Sequence, residues 1–380
     1  MSLYVAFIPI HERFMTQPTA LWIVGTSVSI EDGGYVTRLA ARAAEHGIVT
    51  RNLSIGDQTS VMGYMRVLGS RDEIRAGDAV IWEYSLLDTL LTESLFDASD
   101  VHHARRLAWR CLLERGANVI VLLTAPKKHL HRRSACEEAI ARDATAIGLP
   151  CIDTRELFNA LGVGDAAAHY RDDRHPRLDS PLVDAMVDAA LAHMLAPQST
   201  SREAAIESLC ANTAQNWHWL DAQTLAAASG IPVRNFHNTL LSIDAVPLAP
   251  DGGLAVPPLR RIVGVGCVST HESGGLWCGH PGCPPASLRL PVELPYPFLL
   301  RTTAIPCLRG EISRIVCAPA YAYARGVWCD YGQALSRASA EVGVFGVLYE
   351  TGTDAQIPFK PHPVNRLRAS LGALYRRLAR

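Results

Sequence analysis

The sequence carries little net charge and has no long apolar run. Its 36 basic residues nearly balance 37 acidic ones, which leaves a formal net charge of −1 over 380 residues. Such a chain has no overall field that would attract nucleic acid. No uninterrupted apolar stretch reaches the roughly 18–20 residues that cross a bilayer. The N-terminal apolar run also lacks the basic region of a signal peptide. We therefore expect a cytoplasmic protein with no transmembrane segment and no nucleic-acid partner.

Metal-binding signals are sparse. Six of the ten cysteines lie between Cys267 and Cys329, and the tightest group there is Cys267, Cys278, His280 and Cys283. Short Cys and His spacings in a turn-rich segment can form a tetrahedral zinc site. No second paired knuckle follows, so structural zinc, reduced thiols and a disulfide all stay open for this group. We predict no cofactor and no catalytic metal.

Strand-like and helix-like segments alternate through the first half of the chain. Short β-branched runs such as ALWIVG and NVIVLL are typical of buried strands. Segments such as YVTRLAARAAE, with apolar residues at helical spacing, lie between them. This alternation over short connections predicts a parallel sheet that is covered by helices on both faces.

The pattern changes after the first half. We predict an α/β domain over residues 1–196, a linker and helical connector over 197–230, and a mainly antiparallel β domain over 231–355. Short apolar runs between Gly- and Pro-rich turns indicate the β domain, for which a sandwich is one arrangement. Residues 356–380 predict a basic amphipathic C-terminal helix.

The residues Gly25-Thr26-Ser27 follow directly on the first predicted strand. A serine there lies at the carboxyl end of a parallel strand, where open α/β sheets bind their ligands. The glycine permits a tight turn that exposes the serine hydroxyl. Ser27 is therefore a candidate nucleophile, although the same position suits a helix cap.

A second polar group precedes the last helix of the α/β unit. Asp172 stands three residues before His175, a spacing that lets a carboxylate orient the imidazole and stabilise its charged form. The imidazole can then accept the proton of a serine hydroxyl. A surface salt bridge of Asp172 with Arg171 or Arg174 is the alternative.

Together these motifs resemble those of the SGNH (GDSL-like) hydrolase superfamily over about 175 residues. The resemblance implies a flavodoxin-like three-layer α/β fold, with Ser27, Asp172 and His175 as catalytic triad. It also implies an oxyanion hole formed by the backbone N–H groups of Ser27 and Gly56. Thr26 stands where the family has aspartate, a position outside the triad.

The third family block departs from the pattern. The segment EYSLLD aligns so that Leu87 stands where the family has its oxyanion asparagine. Leu87 cannot donate a hydrogen bond, so we regard Ser85 and Gln58 as candidate substitutes or substrate contacts on the rim of the cleft. Glu83 and Asp88 are interpreted as helix caps.

The resemblance implies a serine-dependent hydrolase of an O-acyl ester. An O-acetyl ester of a small molecule or glycan is the substrate we expect. Two alternatives stay open: an intracellular O-acyltransferase with the same triad, and a binding protein whose missing asparagine marks lost activity.

Overall fold

The computed structural model describes most of the first 250 residues and the strands that follow them. The described residues are 18–56, 58–92, 98–162, 165–196, 201–211, 217–237, 242–249, 253–270, 275–279, 286–289, 298–304, 309–318 and 342–350. The predicted C-terminal helix over 356–380 lies outside them, as do His280 and Cys283 of the zinc candidate.

Five parallel strands form the first sheet, in the order β2-β1-β3-β4-β5. They are β1 (Ala20–Gly25), β2 (Val49–Asn52), β3 (Ala79–Glu83), β4 (Asn118–Leu123) and β5 (Cys151–Asp153). This is the flavodoxin-like order, in which the chain reverses direction across the sheet after β2. The α/β fold predicted from the alternating pattern is confirmed.

Helices cover both faces of this sheet. They are α1 (Tyr35–Glu45), α2 (Ser60–Ser70), α3 (Ser85–Thr92), α4 (Ala98–Glu114), α5 (Ala135–Ala146), α6 (Thr154–Ala160) and α7 (Pro181–Leu195). Leu21 and Ile23 of β1 pack toward α1 and α7, whereas Trp22 and Val24 pack toward α2 and α4. Successive side chains of a strand point to opposite faces, which explains why both faces of the sheet are apolar.

A second, antiparallel sheet of nine strands follows. The remaining elements are α8 (Arg202–Ala211), β6 (Trp217–Asp221), α9 (Ala222–Ser229), β7 (Arg234–His237), β8 (Ser242–Leu248), β9 (Gly253–Thr270), β10 (Gly275–Gly279), β11 (Ala286–Arg289), β12 (Phe298–Ala304), β13 (Arg309–Ala318) and β14 (Val342–Glu350). The strand order is β11-β10-β13-β9-β14-β8-β7, with β12 also paired to β9 and β6 to β14. Within the described residues, hydrogen bonds connect β6 and the strands β7 to β14 of the expected β region into one branched sheet.

Strand β6 lies inside the predicted helical connector. Its residues pair with β14, from Trp217 opposite Glu350 to Asp221 opposite Gly346. The linker and helical connector predicted over 197–230 thus contains a strand between its two helices, and aromatic side chains of this strand cover the sheet. Trp217 is buried, and Trp219 lies so close to Gly346 that a Cβ at this glycine would approach the indole to 2.0 Å.

The second sheet packs against the helices on one face of the first sheet. Phe236, Val263 and Phe345 belong to the same apolar core as Trp82 and Trp109. On its other face, α9 packs through Leu225 in a separate apolar cluster, which also contains buried Cys267. Among the described residues, no group of three or more His, Cys, Asp or Glu side chains could hold a metal ion.

No helix within the described ranges is long and apolar enough to cross a membrane.

Candidate active site

The strand β1 ends in a tight turn that carries Ser27. Residues Ser27–Ser29 form a 3₁₀ turn, in which the Ser29 N–H donates to the Thr26 carbonyl at 3.0 Å. Gly25 is required by packing, since a Cβ there would lie 2.4 Å from Ser29 Oγ and 3.0 Å from Glu83 Cβ. The turn lies at the carboxyl end of β1, next to the equivalent end of β3.

A buried carboxylate stabilises this turn through hydrogen bonds. Glu83, at the end of β3, is fully buried and accepts hydrogen bonds from the Thr26 N–H at 3.0 Å and the Thr26 hydroxyl at 2.9 Å. The hydroxyls of Ser29 and Thr124 also donate to it. Burial raises the pKa of Glu83, and these hydrogen bonds act in the opposite direction. Glu83 is thus the hydrogen-bond acceptor for the turn that carries Ser27, and not the helix cap that the sequence suggested.

The structure brings Ser27, His175 and Asp172 into one hydrogen-bonded chain. Ser27 Oγ lies 2.9 Å from His175 Nε2, and His175 Nδ1 lies 2.9 Å from Asp172 Oδ2 and 3.0 Å from Oδ1. With Nδ1–H donating to the carboxylate, Nε2 is the acceptor for the serine hydroxyl. This is the geometry in which an imidazole can activate a serine.

Hydrogen bonds hold the Asp172 side chain in its ionised form. Its Oδ1 accepts the backbone N–H groups of Arg174 at 2.7 Å and His175 at 2.8 Å. Partial burial acts to raise the pKa of Asp172, but these hydrogen bonds and the His175 ring outweigh it and lower the pKa to about 2. A permanently charged partner at Nδ1 favours the imidazolium that forms when Ser27 is deprotonated.

The loop that carries both residues is anchored at several points. The Arg171 N–H donates to the His175 carbonyl at 3.1 Å, and the Lys127 N–H donates to the Asp173 carbonyl at 2.9 Å. Just beyond the loop, α7 begins at a well-formed cap, where Ser180 Oγ accepts the Leu182 N–H and Pro181 occupies the first helical position. These contacts fix the imidazole relative to the β1 turn.

Gly56 lies beside the nucleophile. The chain leaves β2 with the Ile55 N–H donating to the Gly25 carbonyl at 3.0 Å. A Cβ at Gly56 would lie 3.8 Å from Ser27 Cβ and 3.1 Å from Ile30 Cδ1. Neither the Ser27 nor the Gly56 N–H donates to any group in the described part of the chain. Both donors are therefore available to an oxygen bound beside Ser27.

Comparison with solved structures finds similarity over just under half of this chain. An esterase, EstA, from Pseudoalteromonas sp. is 18% identical, covering 45% of this chain and 96% of its own at a TM-score of 0.36. An acetyl xylan esterase is 16% identical, covering 46% and 98% at 0.38. A GDSL-like lipase from Bacteroides thetaiotaomicron is 15% identical, covering 47% and 91% at 0.35.

The matched region is the N-terminal α/β part of this chain, and at these identities the likeness is one of fold. A scan with protein-family models gives no match. A search among curated proteins gives none either.

The segment that contains Leu87 forms a helix at the end of β3. Leu87 lies within α3 and is 2% exposed, packed in the apolar core on the α1 and α7 side of the sheet. Its side chain is a core residue and offers no donor to the site. The helix α3 was not foreseen, because the segment is short and its apolar residues continue directly from β3.

The two candidate substitute donors are both buried. The Ser85 hydroxyl accepts the Thr124 N–H at 2.8 Å and donates to the Thr124 carbonyl at 3.1 Å, so it ties the start of α3 to the chain just after β4. Gln58 is 6% exposed and does not lie on an open rim. In this structure the Ser85 hydroxyl is therefore engaged with the backbone of Thr124.

Asp88 caps the helix α2 instead of its own. It accepts the Ser60 N–H at 2.8 Å and also the Ser60 hydroxyl. Burial raises the pKa of Asp88 to about 7, with the Ser60 hydrogen bonds and the Arg105 charge acting in the opposite direction. This contact positions the start of α2, which follows Gly56 and Gln58 directly along the chain.

The sequence alone did not indicate that Glu31 and Arg171 belong to the site. Glu31 forms an ion pair with Arg171, and its carboxylate lies 4.0 Å from His175 Nε2. No spacing pattern could have indicated this pair, since its members are 140 residues apart. The only signal was the position of Arg171 beside Asp172.

Proposed function

We propose that this chain is a serine-dependent ester hydrolase. The observation that carries the proposal is the unbroken hydrogen-bonded chain from Asp172 through His175 to Ser27, with distances of 2.9 Å at both ends. A serine at a strand end gains little from a nearby histidine unless a third group orients the imidazole. Here all three groups are in contact at the carboxyl edge of the sheet, where α/β proteins bind ligands.

In the proposed reaction, His175 Nε2 takes the Ser27 proton as Oγ bonds to the ester carbonyl carbon. The resulting oxyanion accepts hydrogen bonds from the Ser27 and Gly56 N–H groups. The imidazolium then gives its proton to the departing alkoxide as the C–O bond breaks, which leaves an acyl-serine. Water, deprotonated by His175, attacks the carbonyl carbon of this acyl-enzyme. The imidazolium then returns the proton to Ser27 Oγ as its bond to the acyl carbon breaks, which releases the acid and restores the enzyme.

A hole with two donors is weaker than one with three. Removing a single oxyanion donor typically costs about 3–4 kcal/mol of transition-state stabilisation, or 10²–10³ in rate. With Leu87 in the core, we expect a modest kcat relative to that of enzymes with a complete hole.

A small acyl group on a hydroxyl-bearing alcohol, such as the O-acetyl group of a glycan, is the substrate we propose.

The test is hydrolysis of p-nitrophenyl acetate beside p-nitrophenyl octanoate, with wild-type protein, Ser27→Ala and His175→Ala. We expect turnover of the acetate that both substitutions abolish, and a lower kcat/KM for the octanoate. Turnover that persists in Ser27→Ala would contradict the proposed nucleophile.

One observation favours a second candidate, a glycan-binding protein without catalysis. Leu87 removes the side-chain donor that SGNH-like sites use, and its own side chain is buried in the core. This candidate predicts no turnover of any ester and binding of glycans that Ser27→Ala leaves unchanged.

A further inference from the structure

Glu31 lies on the side of the imidazole where the leaving group must stand. The nitrogen that binds Ser27 Oγ at 2.9 Å, His175 Nε2, is also the atom nearest to Glu31, at 4.0 Å. In serine acyl transfer the alkoxide is protonated by this same nitrogen. The carboxylate is therefore close to the proton in transit, yet beyond hydrogen-bonding distance.

Arg171 holds this carboxylate in place. Its guanidinium pairs with Glu31, and its Nε lies 3.5 Å from Asp172 Oδ2. One cation thus connects the carboxylates on the two sides of the imidazole. The Glu31 side chain is 14% exposed, and burial raises its pKa, while His175 and Arg171 act to lower it.

Glu31 begins a tight turn that closes at Gly34. The Gly34 N–H donates to the Glu31 carbonyl at 3.1 Å, and a Cβ at Gly34 would lie 3.0 Å from that carbonyl and 3.3 Å from Glu31 Cβ. A glycine at this position therefore keeps the turn free of a clash. Asp32, the next residue, is exposed.

We propose that Glu31 is a positioning residue that stabilises the protonated imidazole of His175 through space, and that Arg171 keeps Glu31 from accepting the Nε2 proton. The proposal extends the proposed function, since the imidazolium is the intermediate of that reaction. Among the described residues, the carboxylates within 4.0 Å of the imidazole nitrogens are Asp172 at Nδ1 and Glu31 near Nε2, and Arg171 contacts both of them. An acid that bound Nε2–H directly would divert the proton from the departing alkoxide.

The first test needs no turnover. The His175 imidazole is titrated by NMR in protein labelled at histidine, with the signal assigned through its loss in His175→Ala. In Glu31→Gln the titration midpoint falls by on the order of one pH unit, because the imidazolium loses one of the two carboxylates that stabilise it. Asp32→Asn, which removes the same charge one residue away, leaves the midpoint unchanged. A midpoint that is equal in wild type and Glu31→Gln, or that moves equally in Asp32→Asn, would overturn the stabilising role.

The second test addresses the tether through ester hydrolysis. Arg171→Gln frees Glu31 to hydrogen bond to Nε2, so kcat falls about tenfold or more, a part of the usual contribution of general acid catalysis. The double variant Glu31→Gln/Arg171→Gln recovers most of this loss, since no carboxylate is left to bind the proton. A double variant no faster than Arg171→Gln would overturn the tether.

The two proposals fail in different ways. If wild-type protein shows no Ser27-dependent turnover, the proposed function fails, and the NMR titration still decides whether Glu31 stabilises the imidazolium. If turnover is present but the Glu31→Gln midpoint is unchanged, only the further inference fails.

Discussion

The Glu83 carboxylate lies beneath Thr26 and accepts hydrogen bonds from both its N–H and its hydroxyl, at 3.0 and 2.9 Å. This contact joins the end of β3 to the turn that presents Ser27. It also explains why a threonine suits position 26: an acidic side chain there would face a buried carboxylate, whereas a hydroxyl donates to it.

Removing the Glu83 carboxylate should destabilise the protein and disorder the nucleophile turn. In Glu83→Ala the buried donors of Thr26, Ser29 and Thr124 lose their shared acceptor, which should cost about 3 kcal/mol or more. Urea unfolding measures this loss. Glu83→Gln retains a carbonyl acceptor and should lose less. Equal stability of wild type and Glu83→Ala would contradict the account of the turn.

Stability should depend on pH through Asp88. Its pKa is about 7 in the folded protein, raised by burial from an ordinary value of 3.8. The folded state therefore keeps a proton that the unfolded chain releases near pH 4. The stability that the protonated Asp88 carboxyl contributes is fully present below pH 4, and it is lost as the pH rises through about 7. The loss amounts to at most about 4 kcal/mol.

Asp88→Asn removes this titration and serves as the reference. Thermal unfolding of both proteins from pH 4 to pH 8 should show wild type losing stability relative to Asp88→Asn as pH rises. Parallel curves over this range would show that Asp88 is ionised throughout.

Asp172 should matter for rate at every pH. Because its pKa is about 2, the carboxylate is charged across the accessible range. Asp172→Asn removes that charge and favours the wrong imidazole tautomer, and kcat for p-nitrophenyl acetate should fall by about 10²–10⁴. Since the Asp172 side chain is 47% exposed, the folded stability should change little. A loss of activity that is matched by loss of folded protein would point to a structural role instead.

Gly56 should tolerate a methyl group only when Ile30 is shortened. In Gly56→Ala the new Cβ would lie 3.1 Å from Ile30 Cδ1. This clash would displace the Gly56 N–H from the proposed oxyanion hole. We expect kcat/KM to fall by up to about tenfold, because one oxyanion donor is partly lost. The double variant Gly56→Ala/Ile30→Val removes the clashing methyl and should recover activity. If the double variant is as slow as Gly56→Ala, the clash is not the cause.

The regular parts of the fold could be predicted from sequence because they depend on local patterns. The strands β1 and β4 are short apolar runs that contain several β-branched residues, and α1 and α5 carry one apolar face each. The strand β6 escaped prediction because its pairing partner, β14, lies more than 120 residues away. No local pattern contains that information.

The site also divides into residues that local motifs indicate and contacts that form only on folding. Ser27, Asp172 and His175 could be selected from short motifs, since each motif follows or precedes a recognisable element. The contacts of Glu31, Glu83 and Ser85 depend on side chains from other strands and loops, and these meet only in the folded protein.

The measurement that tests the central claim most directly is covalent labelling of Ser27. Purified protein is treated with a fluorophosphonate, and the labelled peptide is identified by mass spectrometry, beside Ser27→Ala, His175→Ala and the exposed-site control Asp32→Asn. We predict one phosphonyl group on Ser27, equal labelling in Asp32→Asn, and labelling lost in Ser27→Ala and strongly slowed in His175→Ala. Folded wild-type protein that takes up no label at Ser27, or labels as fast without His175, would contradict the claim that this serine is an activated nucleophile.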